Sequence, residues 1–235
     1  MSDGKLRYTQ DGQVAVIHMD DGRVNSLSPE MLTGIEAQLD RAEKEAGAVV
    51  LVGREGRFCA GFDLATMGAG PEAAHAMVLA GGELLLRLSA LPIPVVAACT
   101  GHALAAGALL LLASDLRVGC RGEFKLGLNE VTIGMALPIF ALELARERLS
   151  KRHFARATQM AEIYTPDTAV DAGYLDRVEE PLDVLQAARD EATRLAELQQ
   201  PAFRLTKQRN AEAMVARIRA TLDEDVARLT GLRRS

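Results

Sequence analysis

The chain has 235 residues, 49 % hydrophobic and 25 % charged, a balance that fits one large globular domain or a domain with a small appendage. A formal net charge of −5 with no long basic run argues against nucleic acid as a partner. The longest apolar run, Ala103 to Ala113, is roughly half of a membrane span, and the opening MSDGKLRYTQ has no apolar leader segment, so neither membrane nor secretion is expected.

In chain order, VAVIHM (14–19) predicts a buried strand between two turn signals. Ser28 followed by Pro29 starts a helix, with serine as its cap and proline at its first position. Met31, Leu32, Ile35 and Leu39 repeat at helical spacing, and Gly47 stops it. AVVLV (48–52) is a second strand, and this β-α-β order points to an α/β fold. A loop then runs from Gly53 to Leu64. A helix extends from Pro71 to about Ala90, ended by Pro92 and Pro94. VVAAC (95–99) is the third strand. TGHALAAGALLLLASD turns into a short, very apolar helix. Strands follow at 116–120 and 124–126. From Pro138 onward the pattern predicts helices almost throughout, broken by YTPDT (164–168), DAGYL (171–175) and EEPLD (179–183), with Thr165 and Pro166 repeating the cap-plus-proline start. Residues 1–140 thus read as layered β/α, and 141–235 as a helical extension. Cys59, Cys99 and Cys120 show neither paired nor metal-type spacing, which predicts a reducing, cytoplasmic setting and no metal site.

Two loops and one acid carry the chemistry. Phe58-Cys59-Ala60-Gly61-Phe62-Asp63-Leu64 and Ala103-Leu104-Ala105-Ala106-Gly107-Ala108 each follow a predicted strand, with small residues where the backbone turns. The second runs into an apolar helix, whose N-terminus presents unpaired N–H groups and the positive end of the dipole. Two such donors converging on one point stabilise a developing oxyanion. The same small residues also serve tight strand–helix packing. Glu130 is the one acid in LGLNEVTIGM (126–135), a costly place for a carboxylate that nothing uses or pairs with. It reads either as a proton shuttle or as a structural acid that caps a helix or pairs with Lys125 or an arginine.

FCAGFDL, GHALAAGALLLLASDLRV and LGLNEVTIGM, in that order, resemble the crotonase superfamily of enoyl-CoA hydratases and isomerases. VNSLS (24–28) before them and AVDAGYLDRV (169–178) after them extend the resemblance over nearly the whole chain. It implies an α/β, crotonase-like spiral of ββα units over 1–140, carrying the acyl-CoA site. The C-terminal helical region, 141–235, would be a trimerisation region, so the chain would form a homotrimer or hexamer. It implies an acyl-CoA thioester substrate and no separate cofactor, coenzyme A being part of the substrate. By position, the oxyanion-hole donors would be the backbone N–H groups of Phe62 and Ala106. Ala106 stands where many family members have glycine, and is strained there if the position needs a positive φ. The backbone around Ala60, Gly61, Asp63 and Leu64, and that near Val24, Ser26 and Leu27, would bind adenine and pantetheine.

Family hydratases use two glutamates to hold water, take its proton and deliver one to carbon. Here the first of those positions falls on Leu109 and the second on Glu130. One acid without the other is most similar to the Δ3,Δ2-enoyl-CoA isomerases, so the resemblance implies conversion of 3-enoyl-CoA to 2-enoyl-CoA by Glu130. Two alternatives stay open: a hydratase in which Glu83 or Glu123 replaces the missing acid, and an acyl-CoA-binding protein with little or no catalysis.

Several residues have two readings. Asn129 orients Glu130, lines the acyl pocket, or is a plain turn residue. Asp63 contacts the ligand or caps the following helix. His102 and Cys59 read as packing groups, and Asp115 as structural. Arg204, Lys207 and Arg209 form a basic cluster that either approaches the coenzyme A phosphates or is a solvated helix face. GAGPEAA (68–74) lacks the Gly-Lys-Ser/Thr of a phosphate loop, which excludes nucleotide hydrolysis.

Overall fold

The computed structural model describes residues 4–232, so Met1 to Asp3 of the opening stretch lie outside the described residues. The chain begins with an antiparallel hairpin, β1 (Leu6–Asp11) and β2 (Val14–Met19), turning at Gly12 and Gln13. From β2 onward one unit recurs: a strand in a large sheet, a strand in an inner layer, then a helix. The first turn of the spiral is β2, β3 (Ser26–Leu27) and α1 (Pro29–Glu45). The second is β4 (Ala48–Val52), β5 (Gly56–Cys59), β6 (Gly61–Phe62), α2 (Leu64–Met67) and α3 (Pro71–Ala90). The third is β7 (Val95–Cys99), β8 (Gly101–Leu104) and α4 (Ala106–Ala113). The fourth is β9 (Leu116–Cys120), β10 (Leu126–Gly127), a 3-10 turn (Val131–Ile133) and α5 (Ile139–Arg148).

The large sheet has the order β1-β2-β4-β7-β9, extended at its far edge by Arg177–Glu179, and only β1 runs antiparallel. The inner layer is a parallel sheet β10-β8-β5 and a parallel pair β3-β6. The central strands are buried on both faces, which is why they read as unbroken apolar runs. In β4, Val49 and Leu51 face the main core with α1, α3 and α4. Ala48, Val50 and Val52 face the opposite core, as the two-residue period of a strand requires. Ser28 caps α1 as its sequence predicts, its Oγ accepting from the Met31 N–H at 3.2 Å.

Two expectations are corrected. The stretch 53–64 is not all loop: β5 and β6 are strands because Gly101–Leu104 and Ser26–Leu27 lie beside them as parallel partners. Within 141–235 a short strand joins the expected helices. After α6 (Lys151–Thr158) and α7 (Pro166–Ala172) comes β11 (Arg177–Glu179), parallel to β9. The Asp176 carboxylate pins it there, accepting from the Arg117 backbone N–H at 2.7 Å and from its guanidinium at 2.9 and 2.6 Å. α8 (Val184–Ala196) covers the second face of the sheet through Val184, Ala188, Ala192 and Ala196. The long α9 (Gln200–Thr230) packs across α3 and α5.

Candidate active site

The inner sheet assembles the site. β5, β8 and β10 are parallel neighbours, so their C-terminal ends emerge on one side. β5 leads into Ala60 to Leu64, β8 into Ala105 and Ala106, and β10 into Asn129 and Glu130. Adjacent strands lie about 4.8 Å apart, so the three ends fall within roughly 10 Å of one another. The Ala105 N–H donates to Gly127 O at 3.0 Å, which ties the start of α4 to the Glu130 loop. The C-terminal edge of parallel strands is where open α/β sheets hold ligands.

The first loop is bound on both sides. Pairing of Ser26 with Gly61 and Leu27 with Phe62 lays Val24 to Leu27 along Ala60 to Leu64, and the Asp63 N–H donates to Leu27 O at 3.3 Å. Val24, Ala60 and Leu64 are exposed at its rim, Leu64 by 77 %. Asp63 caps α2: its Oδ2 accepts from the Thr66 N–H at 2.9 Å and the Thr66 hydroxyl at 2.8 Å, and these bonds hold its pKa down. Asn25, which sequence reasoning passed over, locks this edge. It is buried at φ 55°, accepts from the Asp21 N–H, and donates to Met19 O at 2.8 Å and Phe58 O at 3.3 Å. Its signal was an asparagine after the Asp20-Asp21-Gly22 turn, a residue type that tolerates left-handed backbone.

Gly61, at φ 101°, lies directly on the start of α4. A methyl there would come within 2.9 Å of Ala105 Cβ and 3.4 Å of Ala106 N. Ala106, the first residue of α4, has no acceptor within its helix. The strain expected at Ala106 falls one residue earlier: Ala105 has φ 51° and ψ −124°, a region that favours glycine. Ala105→Gly should therefore stabilise the fold. Strain relief less the added entropy of glycine leaves about 1 kcal/mol, read as a higher midpoint in a urea or thermal melt; a lower midpoint would show the conformation to be unstrained.

Glu130 is 9 % exposed. It sits just before the 3-10 turn but makes no side-chain cap bond. Its Oε2 is buried without a hydrogen-bond partner, and Glu130 forms no ion pair with Lys125 or an arginine among the described residues. Both structural readings of this acid therefore fail. Burial pushes its pKa up to about 7, its own backbone N–H opposing. Such a carboxyl both accepts and returns protons near neutral pH. Leu109, in the first turn of α4, is apolar and 1 % exposed. Asn129 is half-buried, with an unpartnered Oδ1. Neither proposed substitute acid joins them. Glu83 is exposed on α3, lining a groove with Glu36, Glu43 and Arg87. Glu123 is exposed and precedes β10, at the opposite end of that strand from Glu130.

Of the remaining candidates, Lys207, His102 and Cys59 serve packing. Lys207 is buried against Asp115 Oδ2 at 2.5 Å, and burial lowers its pKa, so it is neither a solvated helix face nor exposed to a phosphate. Arg204 and Arg209 are exposed on α9. His102 Nδ1 accepts from the Lys125 N–H at 3.0 Å, and its ring meets Phe124 edge-on. Cys59 is buried, and burial pushes its thiol up to about 12. Among the described residues, no group of three or more His, Cys, Asp or Glu could hold a metal ion, and no helix is long and apolar enough to cross a membrane.

A spiral of ββα turns, with glycine loops and a buried carboxyl at one end of its inner strands, is the architecture of the crotonase superfamily. The chain belongs to the enoyl-CoA hydratase/isomerase family, which it matches over residues 9–230. It is 30 % identical over 218 residues to human mitochondrial enoyl-CoA delta isomerase 1, covering 91 % of this chain and 72 % of that one. Among solved structures, an enoyl-CoA isomerase of Mycobacterium tuberculosis is 39 % identical with a TM-score of 0.91, covering 97 % and 99 % of the two chains. An enoyl-CoA hydratase of Mycobacterium marinum is 38 % identical with a TM-score of 0.91, covering 96 % and 100 %. Similarity alone therefore points to both reactions, and the residues of this site have to separate them.

Proposed function

We propose that this chain is an acyl-CoA double-bond isomerase that converts 3-enoyl-CoA to 2-enoyl-CoA, with Glu130 as its single acid–base residue. The carrying observation is that Glu130 is buried, unpaired and poised near neutrality, while apolar Leu109 occupies the position of the family's other acid. The C2 proton of a 3-enoyl thioester is both allylic and α to a carbonyl. Its removal gives a dienolate whose charge rests on the thioester oxygen. The N–H groups of Phe62 and Ala106 hold that oxygen, and their stabilisation grows as charge develops. Glu130 takes the proton from C2 and returns it at C4, which moves the double bond into conjugation. No water takes part, and Leu109 helps to exclude it. The backbone of Val24 to Leu27 and of Ala60 to Leu64 grips the coenzyme A portion. Hydration needs a second group to position water, and Glu83 and Glu123 are too exposed to supply one at Glu130.

The test is spectrophotometric. With 3-enoyl-CoA, conjugated thioester absorbance should grow at a rate proportional to enzyme. With 2-enoyl-CoA, the absorbance should persist. Loss of that absorbance would mean hydration. Tight binding of both esters without any change would mean a non-catalytic binder.

A further inference from the structure

Three buried polar atoms close to β10 have no hydrogen-bond partner: Asn129 Oδ1, Glu130 Oε2 and the Tyr174 hydroxyl. Orphans of this kind are few in folded proteins, and each asks for a role. Two of them are chemically complementary, since an ionised carboxylate accepts and a phenol donates.

Tyr174 comes from far along the chain, but the fold seats it under the strand that delivers Glu130. Leu126 of β10 and Tyr164 exchange both backbone hydrogen bonds, each 2.9 Å long. The Tyr164 ring in turn lies 5.6 Å from that of Tyr174. Gly173, at φ 99°, ends α7 and turns the chain inward, and Tyr174 is fully buried. Burial raises the pKa of its hydroxyl, with Tyr164 and the Glu130 charge adding and the Leu128 amide opposing. The phenol thus stays protonated at every working pH, a permanent donor close enough to Glu130 to feel its charge.

We propose that Tyr174 is a positioning residue for Glu130: its hydroxyl donates to the Glu130 carboxylate in the ionised state and releases it when Glu130 is protonated. The inference rests on the acid–base role assigned to Glu130 above. In hydrocarbon surroundings alone, a carboxylate would be too costly to form and too slow to appear as a base. One donor that engages only the charged form offsets part of that cost, and leaves the protonated form free to deliver its proton to carbon. The other titratable groups near the pair are either paired or exposed. Tyr164 shares its hydroxyl with His153 Nδ1 at 3.2 Å, Glu162 is paired with Arg156 at 2.5 Å, and Lys125 is exposed.

Tyr174→Phe removes only the oxygen, whose one resting interaction is with the Leu128 amide, so the melting midpoint should fall only slightly. The decisive measurement is infrared titration of the Glu130 carboxyl, assigned by its loss in Glu130→Gln. Its midpoint should rise by about one pH unit in Tyr174→Phe, because a donor that favours the charged form is gone. Turnover of 3-enoyl-CoA near pH 7 should fall about tenfold with KM unchanged, and the acidic limb of its pH profile should move up with the infrared midpoint. Identical infrared midpoints in the two proteins would overturn the proposal. If neither protein isomerised the substrate, the proposed function would fail, while the infrared titration would still decide the role of Tyr174.

Discussion

Glu130→Gln is expected to lower turnover of 3-enoyl-CoA by about a thousandfold while leaving thioester binding nearly unchanged. The amide fills the same space but cannot carry a proton between C2 and C4. It should also make the protein more stable in alkali. Burial pushes the Glu130 carboxyl up to about 7 in the fold, against an ordinary 4.5. Between these values the folded state keeps a proton that the unfolded chain has lost, so stability falls as pH rises through this window. At about 1.4 kcal/mol per pH unit of separation, the loss is roughly 3 kcal/mol by pH 8. Glutamine never ionises and escapes it. Denaturant melts of both proteins from pH 4 to pH 8 should therefore start together and diverge, with the variant the more stable at the upper end. Parallel curves would show that Glu130 is not held neutral, and wild-type turnover in the variant would place the base elsewhere.

The two effects have opposite signs, which is the mark of a functional site. Activity requires a carboxyl where folding would prefer an amide. That conflict is visible in the sequence, as one acid among Leu, Val, Ile and Met. Most of the scaffold is visible too. The strands at 14–19, 48–52, 95–99 and 116–120 are buried on both faces, so each is an apolar run between turn signals. What escapes the sequence depends on partners. β1 is an edge strand whose LRYTQD is half polar because one side meets water. β8 and β11 are short, and become strands because β5, β10 and β9 lie beside them. The packing of Tyr174 against Tyr164, and through it beside β10, is likewise invisible, because several helices separate them in the chain. Backbone strain is a further case: small residues between a strand and a helix mark the turn at Leu104 to Gly107, but not that Ala105 rather than Ala106 adopts the positive φ.

Gly107→Ala should be among the most damaging small changes in the described residues. In an ordinary helix, replacing glycine by alanine stabilises by about 1 kcal/mol, so the sign of the effect is diagnostic. Here a methyl at residue 107 would run into the Cys59 carbonyl oxygen, and would stand 2.7 Å from the Cys59 carbonyl carbon and 2.9 Å from its Cβ. The first two are backbone atoms of β5, held in a parallel sheet against β8, so they have no rotamer by which to yield. The start of α4 must lift away instead. Ala106 moves with it, while Phe62 stays with the loop that β5 leads into. One methyl therefore separates the two N–H groups proposed to hold the thioester oxygen. Loss of one such donor lowers turnover by about a hundredfold or more, and overpacking here costs about 2–3 kcal/mol of stability. Binding of the coenzyme A portion should weaken much less than turnover, because the β3–β6 pair that lines its proposed path is untouched. Melting and single-turnover measurements on the same preparation would check both effects. A higher melting midpoint with undiminished turnover would mean that α4 and β5 are not in close contact, and the proposed oxyanion hole would lose its structural basis.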